Sequence, residues 1–109
     1  MATPNLGALE QLLLLALVRL GDEAYGVSVR REVVRRTGRS ASLGAIYSTL
    51  ARLEEKGLVV SRLGEPTPER GGRRKKHFTL APAGRRALEQ NLRTLRTMTQ
   101  GLDPSLELT

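Results

Sequence analysis

Arg70, Arg73, Arg74, Lys75 and Lys76 crowd positive charge into one short stretch of the sequence. Cations on a loop neutralise phosphate oxygens and release condensed counterions, so the chemistry on offer is salt-sensitive attraction to a polyanion. A solvated cluster serving solubility alone is the competing reading of the same run. Earlier in the chain Ser42, Gly44, Ala45, Ser48, Thr49 and Arg52 fall outside the apolar stripe of a helix-forming segment. Small side chains there permit close approach to a duplex whose major groove admits one helix, with the first residues of that helix reaching base edges. The same residues also make an ordinary solvated helix face. Arg52 either bridges to a phosphate or pairs with Glu55, a surface pairing of little energetic consequence. Tyr47 either donates its hydroxyl to a phosphate or packs beneath a neighbouring hairpin, since a phenol can do both with its two ends.

Catalytic chemistry has no comparable footing. The chain has one histidine, His77, and no cysteine. Glu10, Glu32 and Glu89 lie too far from His77 in sequence to form a ligand motif. No paired acids, activated serine or phosphate-binding glycine loop is present. The sequence thus predicts no enzyme, no metal and no cofactor, with His77 an ordinary strand residue.

Eighteen Lys and Arg against eleven Asp and Glu leave a net charge of +7 on 109 residues, a field able to draw in nucleic acid. That length gives one core and no second domain. With 39% hydrophobic residues but only 3% aromatics, the core is built from Leu, Val and Ala, which suits packed helices. The absence of cysteine fits a reducing cytoplasm. The apolar run 12–18 is too short to cross a bilayer and lacks the basic start of a signal peptide, so no membrane role is expected.

The elements that must position the cations follow from periodicity. Residues 1–5 read as a loose terminus. Residues 6–20 read as a helix apolar nearly all round, through Leu9, Leu12, Leu13, Leu14, Leu15, Ala16, Leu17, Val18 and Leu20. A single core needs only one stripe, so the second face is buried either by another subunit or by a second layer of the same monomer, and the sequence leaves open which face is which. A second helix over 24–36 turns Tyr25, Val29, Val33 and Val34 inward and Arg30, Arg31 and Arg35 outward, stopping at Gly38; these arginines and Arg36 serve either further backbone contacts or solubility. A Ser in 40–42 caps a third helix over 43–56, whose buried stripe is Ile46, Leu50 and Leu53, and Gly57 ends it. Residues 58–63 and 75–80 read as strands of a hairpin with a long basic tip, a wing, with Phe78 and Leu80 closing the core. Pro82 opens a last helix over 82–101. In it Leu88, Leu92, Leu95 and Leu102 form a coiled-coil seam, which together with Leu9, Leu12 and Leu13 of a partner's first helix gives one dimer interface. The tail 103–109 is expected to be frayed. The fold class is therefore mainly α with a small β-hairpin: a winged helix-turn-helix over 6–81 with a C-terminal dimerisation helix over 82–102.

These residues resemble the PadR-like transcriptional regulators. The matching pieces run in order: Leu6-Gly7-Ala8-Leu9-Glu10, Ala24-Tyr25-Gly26, Ser42-Leu43-Gly44-Ala45-Ile46-Tyr47, Leu50, Arg52-Leu53-Glu54, Gly57-Leu58-Val59, Gly71-Gly72-Arg73, Phe78, Leu80 and Gly84. The resemblance implies a dimer of winged helices on an operator with two-fold pseudosymmetry, usually as a repressor, and the single short C-terminal helix looks like the compact branch. Ala81 stands where the family commonly carries a capping Thr, a change worth about 1 kcal/mol. With no Trp, the aromatic clamp that some relatives close on flat molecules is not carried over.

The function expected is that of a homodimeric regulator binding double-stranded DNA, with half-sites about 10 base pairs apart. A small-molecule effector, if one exists, is not identified by any residue. The rival readings are a winged-helix module for protein interaction and a sequence-indifferent coating protein.

Overall fold

The computed structural model of the chain describes residues 5–65 and 74–108. Helix α1 spans Ala8–Leu20, and its first turn is closed by the Glu10 carboxylate, which accepts the Gly7 N–H at 2.9 Å. A helix start leaves amides without intrahelical acceptors, and a side-chain oxygen in the first turn supplies one. The apolar surface of α1 is divided: Leu13, Leu14, Ala16 and Leu17 are buried, Leu9, Leu12, Leu15 and Leu20 are half-buried, and Val18 is exposed.

Gly21, at φ 56°, ends α1 and starts a 3₁₀ turn over Gly21–Glu23. The backbone then runs extended beside the hairpin, where Ala24 accepts the Phe78 N–H at 2.9 Å and Tyr25 bridges to His77. Helix α2 spans Gly26–Thr37; the Ser28 hydroxyl accepts the Tyr25 N–H at 3.0 Å and donates to the Glu23 carbonyl. Val29 and Val33 face the core, and Gly38 in the left-handed region returns its N–H to Val34. Helix α3 covers Leu43–Glu55 under a Ser42 cap whose Oγ accepts the Ala45 N–H at 3.0 Å. Its stripe of Ile46, Leu50 and Leu53 is fully buried.

Strands β1, Val59–Leu63, and β2, Lys76–Leu80, pair antiparallel in a register that sets Val59 opposite Leu80 and Leu63 opposite Lys76. Phe78 enters the core and Leu80 is half-buried. Lys76 shares their strand face and yet is exposed, because the hairpin has run past the edge of the core by that point.

Helix α4, Pro82–Thr99, starts with proline and has no side-chain cap at Ala81. Ala81 is held instead by its backbone, its N–H reaching the Leu58 carbonyl at 3.0 Å. Ala87 and Leu88 are buried, Leu92 is half-buried, and Leu95 and Met98 are exposed, Met98 at 73%. The expected seam is therefore corrected in two places. Leu13 and Leu88 belong to the chain's own core and present nothing to a partner. Leu102 lies beyond the helix, which stops at Thr99 before Gly101 at φ 81°. After that stop the chain turns back on the helix end, with Gly101 donating its N–H to the Glu107 carboxylate at 2.7 Å and Leu108 donating to the Thr99 hydroxyl at 3.1 Å.

Helix α4 meets the hairpin at Gly84, where an added Cβ would lie 2.0 Å from the Leu58 carbonyl oxygen. In an open helix Gly→Ala gains about 1 kcal/mol of propensity. Here the methyl meets fixed backbone, so Gly84→Ala is expected to lose about 1–3 kcal/mol net in chemical denaturation. A variant as stable as the parent would mean that the approach relaxes without strain.

Candidate nucleic-acid interface

Burial of Ile46, Leu50 and Leu53 turns the opposite side of α3 outward. Ser42, Gly44, Tyr47, Ser48 and Arg52 are exposed there and Ala45 is half-buried. Thr49 is corrected: it is 2% exposed, and its hydroxyl donates to the Ala45 carbonyl one turn back at 2.8 Å, so it cannot reach a groove. Its oxygen instead accepts a long bond from Arg52 Nη2 at 3.4 Å. Among the described residues no ion pair joins Arg52 to Glu55.

Tyr47 packs against the start of α2 and not beneath the hairpin. The ring lies across the first residue of α2, so close that a Cβ on Gly26 would be 2.2 Å from Cζ, while the side of the ring away from Gly26 leaves the residue 43% exposed. Tyr47 thus fastens α3 to α2 and not to the wing. The Ala24-Tyr25-Gly26 sequence carried that information, since only glycine admits a ring at this distance.

The wing is anchored on both sides of its base. On one face Lys75 Nζ stands 4.3 Å from the Tyr25 ring centroid, and Tyr25 meets His77 edge-on at 5.7 Å. His77 Nδ1 lies 3.0 Å from the Asp22 carbonyl oxygen. The histidine therefore has a structural task in joining the hairpin to the 3₁₀ turn, more than an ordinary strand position implies. On the other face Lys76 Nζ is 3.8 Å from Glu54 Oε1, and the second Glu54 oxygen accepts the Ser61 hydroxyl. Glu54 offsets part of the Lys76 charge and braces β1 and β2 against the end of α3. Arg74 and Lys75 are exposed beside it. Arg70 and Arg73 lie outside the described residues.

The arginines of α2 divide as well. Arg30 Nε donates to the Ala41 carbonyl at 2.6 Å and shapes the turn into α3. Arg35, at 2.9 Å, and Arg36 both bind Glu32. The Arg36 hydrogen bond is the main reason the Glu32 carboxyl sits below its ordinary pKa; burial opposes it and Arg35 adds to it. Arg35 and Arg36 thus share one acid, which offsets half of their combined charge.

Sequence reasoning missed one charged contact altogether. Lys56, just past α3, donates to Glu10 Oε2 at 2.7 Å across 46 residues of sequence. Burial alone would raise the Glu10 carboxyl, but the Lys56 and Gly7 hydrogen bonds and the charges of Lys56 and Arg52 outweigh it and hold the group below its ordinary pKa. Among the described residues no group of three or more His, Cys, Asp or Glu could hold a metal ion.

A capped reading helix behind a packed second helix, with a two-stranded basic wing at its side, defines a winged helix-turn-helix. Residues 14–90 match the model of the transcriptional regulator PadR-like family, and the chain belongs to that family. It is similar in structure to a PadR family transcription regulator from Clostridium difficile, with 27% identity and a TM-score of 0.71 over 92% of this chain and 99% of that one. A PadR-like regulator from Bacillus cereus shares the fold at 20% identity and a TM-score of 0.72, covering 94% of this chain and 95% of its own. Bacillus subtilis PadR, solved in complex with operator DNA, is 26% identical with a TM-score of 0.65, over 79% of this chain and 48% of that one. No curated protein matches the chain significantly.

The lowered carboxyls set a pH dependence. A group whose pKa is lower folded than unfolded adds stability above its unfolded value and loses it as pH falls through the folded one. Glu10, Glu32 and Asp103, the last held by Ser105, all shift this way. The melting temperature is expected to stay level between about pH 7 and pH 5 and to fall below that. Glu10→Gln should remove part of the fall, read by thermal unfolding at constant ionic strength; an unchanged acid limb would show that Glu10 gains nothing on folding.

Proposed function

We propose that this chain is a cytoplasmic, homodimeric repressor that binds an operator through the outer face of α3 and the two wings. The observation that carries the reading is the adjacency of an exposed small-residue face, Ser42, Gly44 and Ser48 with Ala45 half-buried between them, to a hairpin that the Glu54 contacts brace at the end of the same helix. A helix of this kind in the major groove puts the cations Arg74 and Lys75 at the base of the wing beside the adjoining backbone. That the Bacillus subtilis relative was solved in complex with operator DNA supports DNA as the partner of this chain. Two wings and two reading helices together neutralise on the order of 6–10 phosphates, so affinity for any duplex falls about 10³- to 10⁵-fold between 50 and 200 mM salt.

Dimerisation is supported by apolar surface with no cover in the monomer. Leu95 and Met98 are exposed on the distal half of α4, and a groove of about 170 Å³ between α1 and α2 is lined by Leu12, Leu15, Ala16 and Val33. In the proposed dimer the distal half of α4 from one protomer lies on α1 of the other. Among the described residues no helix is long and apolar enough to cross a membrane.

Reversing Arg73 and Arg74 to Glu should weaken binding to selected and random duplexes alike and flatten the salt slope by about one per cation removed. Unchanged affinity at low salt in a mobility-shift titration would exclude the wing from the contact, and no binding by the parent would favour a protein-interaction module. Leu95→Glu with Met98→Glu should give a folded monomer at micromolar concentration in sedimentation equilibrium. A persistent dimer would place the interface elsewhere.

A further inference from the structure

Glu10 is an acid on the inward side of an otherwise apolar stretch of α1, its side chain 10% exposed. Both its oxygens are engaged, Oε1 by the Gly7 N–H at 2.9 Å and Oε2 by Lys56 Nζ at 2.7 Å. Lys56 in turn is fixed to the end of α3: its N–H returns to the Arg52 carbonyl at 3.1 Å, and the Leu58 N–H closes on Leu53 at 2.9 Å just beyond. One carboxylate therefore ties the first turn of the helix with the candidate dimer face to the last turn of the helix with the reading face. A pair with its acid buried and its lysine exposed is a weak source of stability, because desolvation of the acid and solvent screening of the lysine offset most of the attraction. Apolar packing sets the rotation of each helix, but its contacts are non-directional and tolerate small shifts through repacking. The Glu10–Lys56 hydrogen bond, the one of the two that crosses from α1 to α3, adds a charge-assisted restraint that acts at a fixed point and short range.

We infer that Glu10 and Lys56 are positioning residues that set the angle of α3 against α1, and through it the distance and phasing of the two reading helices on an operator. This rests on the operator-binding reading above. The contact touches no base, so its effect appears in discrimination between sequences and not in general attraction to DNA.

Electrostatics and positioning predict opposite signs for Glu10→Gln. The substitution removes one negative charge per protomer, so charge alone would tighten binding to every duplex. A positioning role weakens binding to the preferred duplex and leaves the random one equal or tighter. The probe is the duplex enriched by the wild-type dimer from a randomised library about 30 base pairs long, against a random duplex of the same length and composition. We expect Glu10→Gln to lower affinity for the enriched duplex about tenfold, with the ratio to random DNA falling at least as much. Inserting a base pair between half-sites should then penalise the variant less than the wild type. Lys56→Met carries the test if Glu10→Gln does not fold, since its side chain is 36% exposed and its loss leaves the packing intact. It should lose the same discrimination, and Lys56→Arg should restore most of it. Both variants are compared by thermal melting and oligomeric state below their transitions. Retention of the enriched-to-random ratio within about twofold in the folded variants overturns the positioning role. A wild-type chain that enriches no sequence overturns the operator reading itself, and the two failures are separately visible.

Discussion

Complete burial of Ile46, Leu50 and Leu53 fixes the rotation of α3 about its own axis, and what the molecule can offer a partner follows from that one constraint. A helix has 3.6 residues per turn, so once three positions point at the core the outward set is determined to within a fraction of a turn. Ser42, Gly44, Tyr47, Ser48 and Arg52 become the available face. The core side of the constraint comes from Leu13, Leu14 and Leu17 of α1 and Val29 and Val33 of α2, all buried in the same cluster. Close packing of this kind limits how far α3 can turn about its axis, so the outward face is set before any partner arrives.

The net charge of +7 is a poor guide to where the positive field lies. Carboxylates take up cations selectively: Glu32 holds Arg35 and Arg36, Glu10 holds Lys56, and Glu54 stands near Lys76. Arg74 and Lys75 stand at the mouth of the wing, both exposed, with Lys75 Nζ over the Tyr25 ring. Other exposed arginines, among them Arg31, Arg62 and Arg93, carry no ion pair with the described residues either, so in the proposed reading it is the position of Arg74 and Lys75 beside α3, and not the amount of charge, that suits the hairpin to a DNA backbone.

Much of this could be read from the sequence because the relevant signals are local. The stripe of α3 repeats within one helix, the Ser42 cap is three residues from its donor, and Gly38 and Gly57 each stop the helix that precedes them. The hairpin was visible for the same reason, as two short β-prone runs around a Gly, Pro and Arg stretch. What escaped was non-local or required a choice between equal faces. Glu10 and Lys56 are 46 residues apart, and no periodicity links an acid in an apolar helix to a lysine at the end of another. Thr49 read as polar and hence outward, yet its hydroxyl is satisfied by the carbonyl one turn back and so tolerates burial. Leu13 and Leu12 are adjacent leucines in one helix, and only the tertiary arrangement sends the first into the core and leaves the second half-exposed.

The division within α4 links stability to assembly. Its first half is secured by Gly84 against the Leu58 carbonyl and by Ala87 and Leu88 in the core. From Arg93 to Met98 every residue is exposed. A helical stretch this short has little stability of its own in water, because nucleation is unfavourable and most helical stability comes from tertiary packing. The returns from Gly101 to Glu107 and from Leu108 to Thr99 close its end, but they are solvent-exposed bonds of modest net worth. Burying Leu95 and Met98 against a second copy would contribute about 1.5–3 kcal/mol for each side chain. In the proposed dimer the same contact would therefore order the distal helix and join the two reading heads, so the spacing between heads could not be well defined in a chain whose distal helix had frayed.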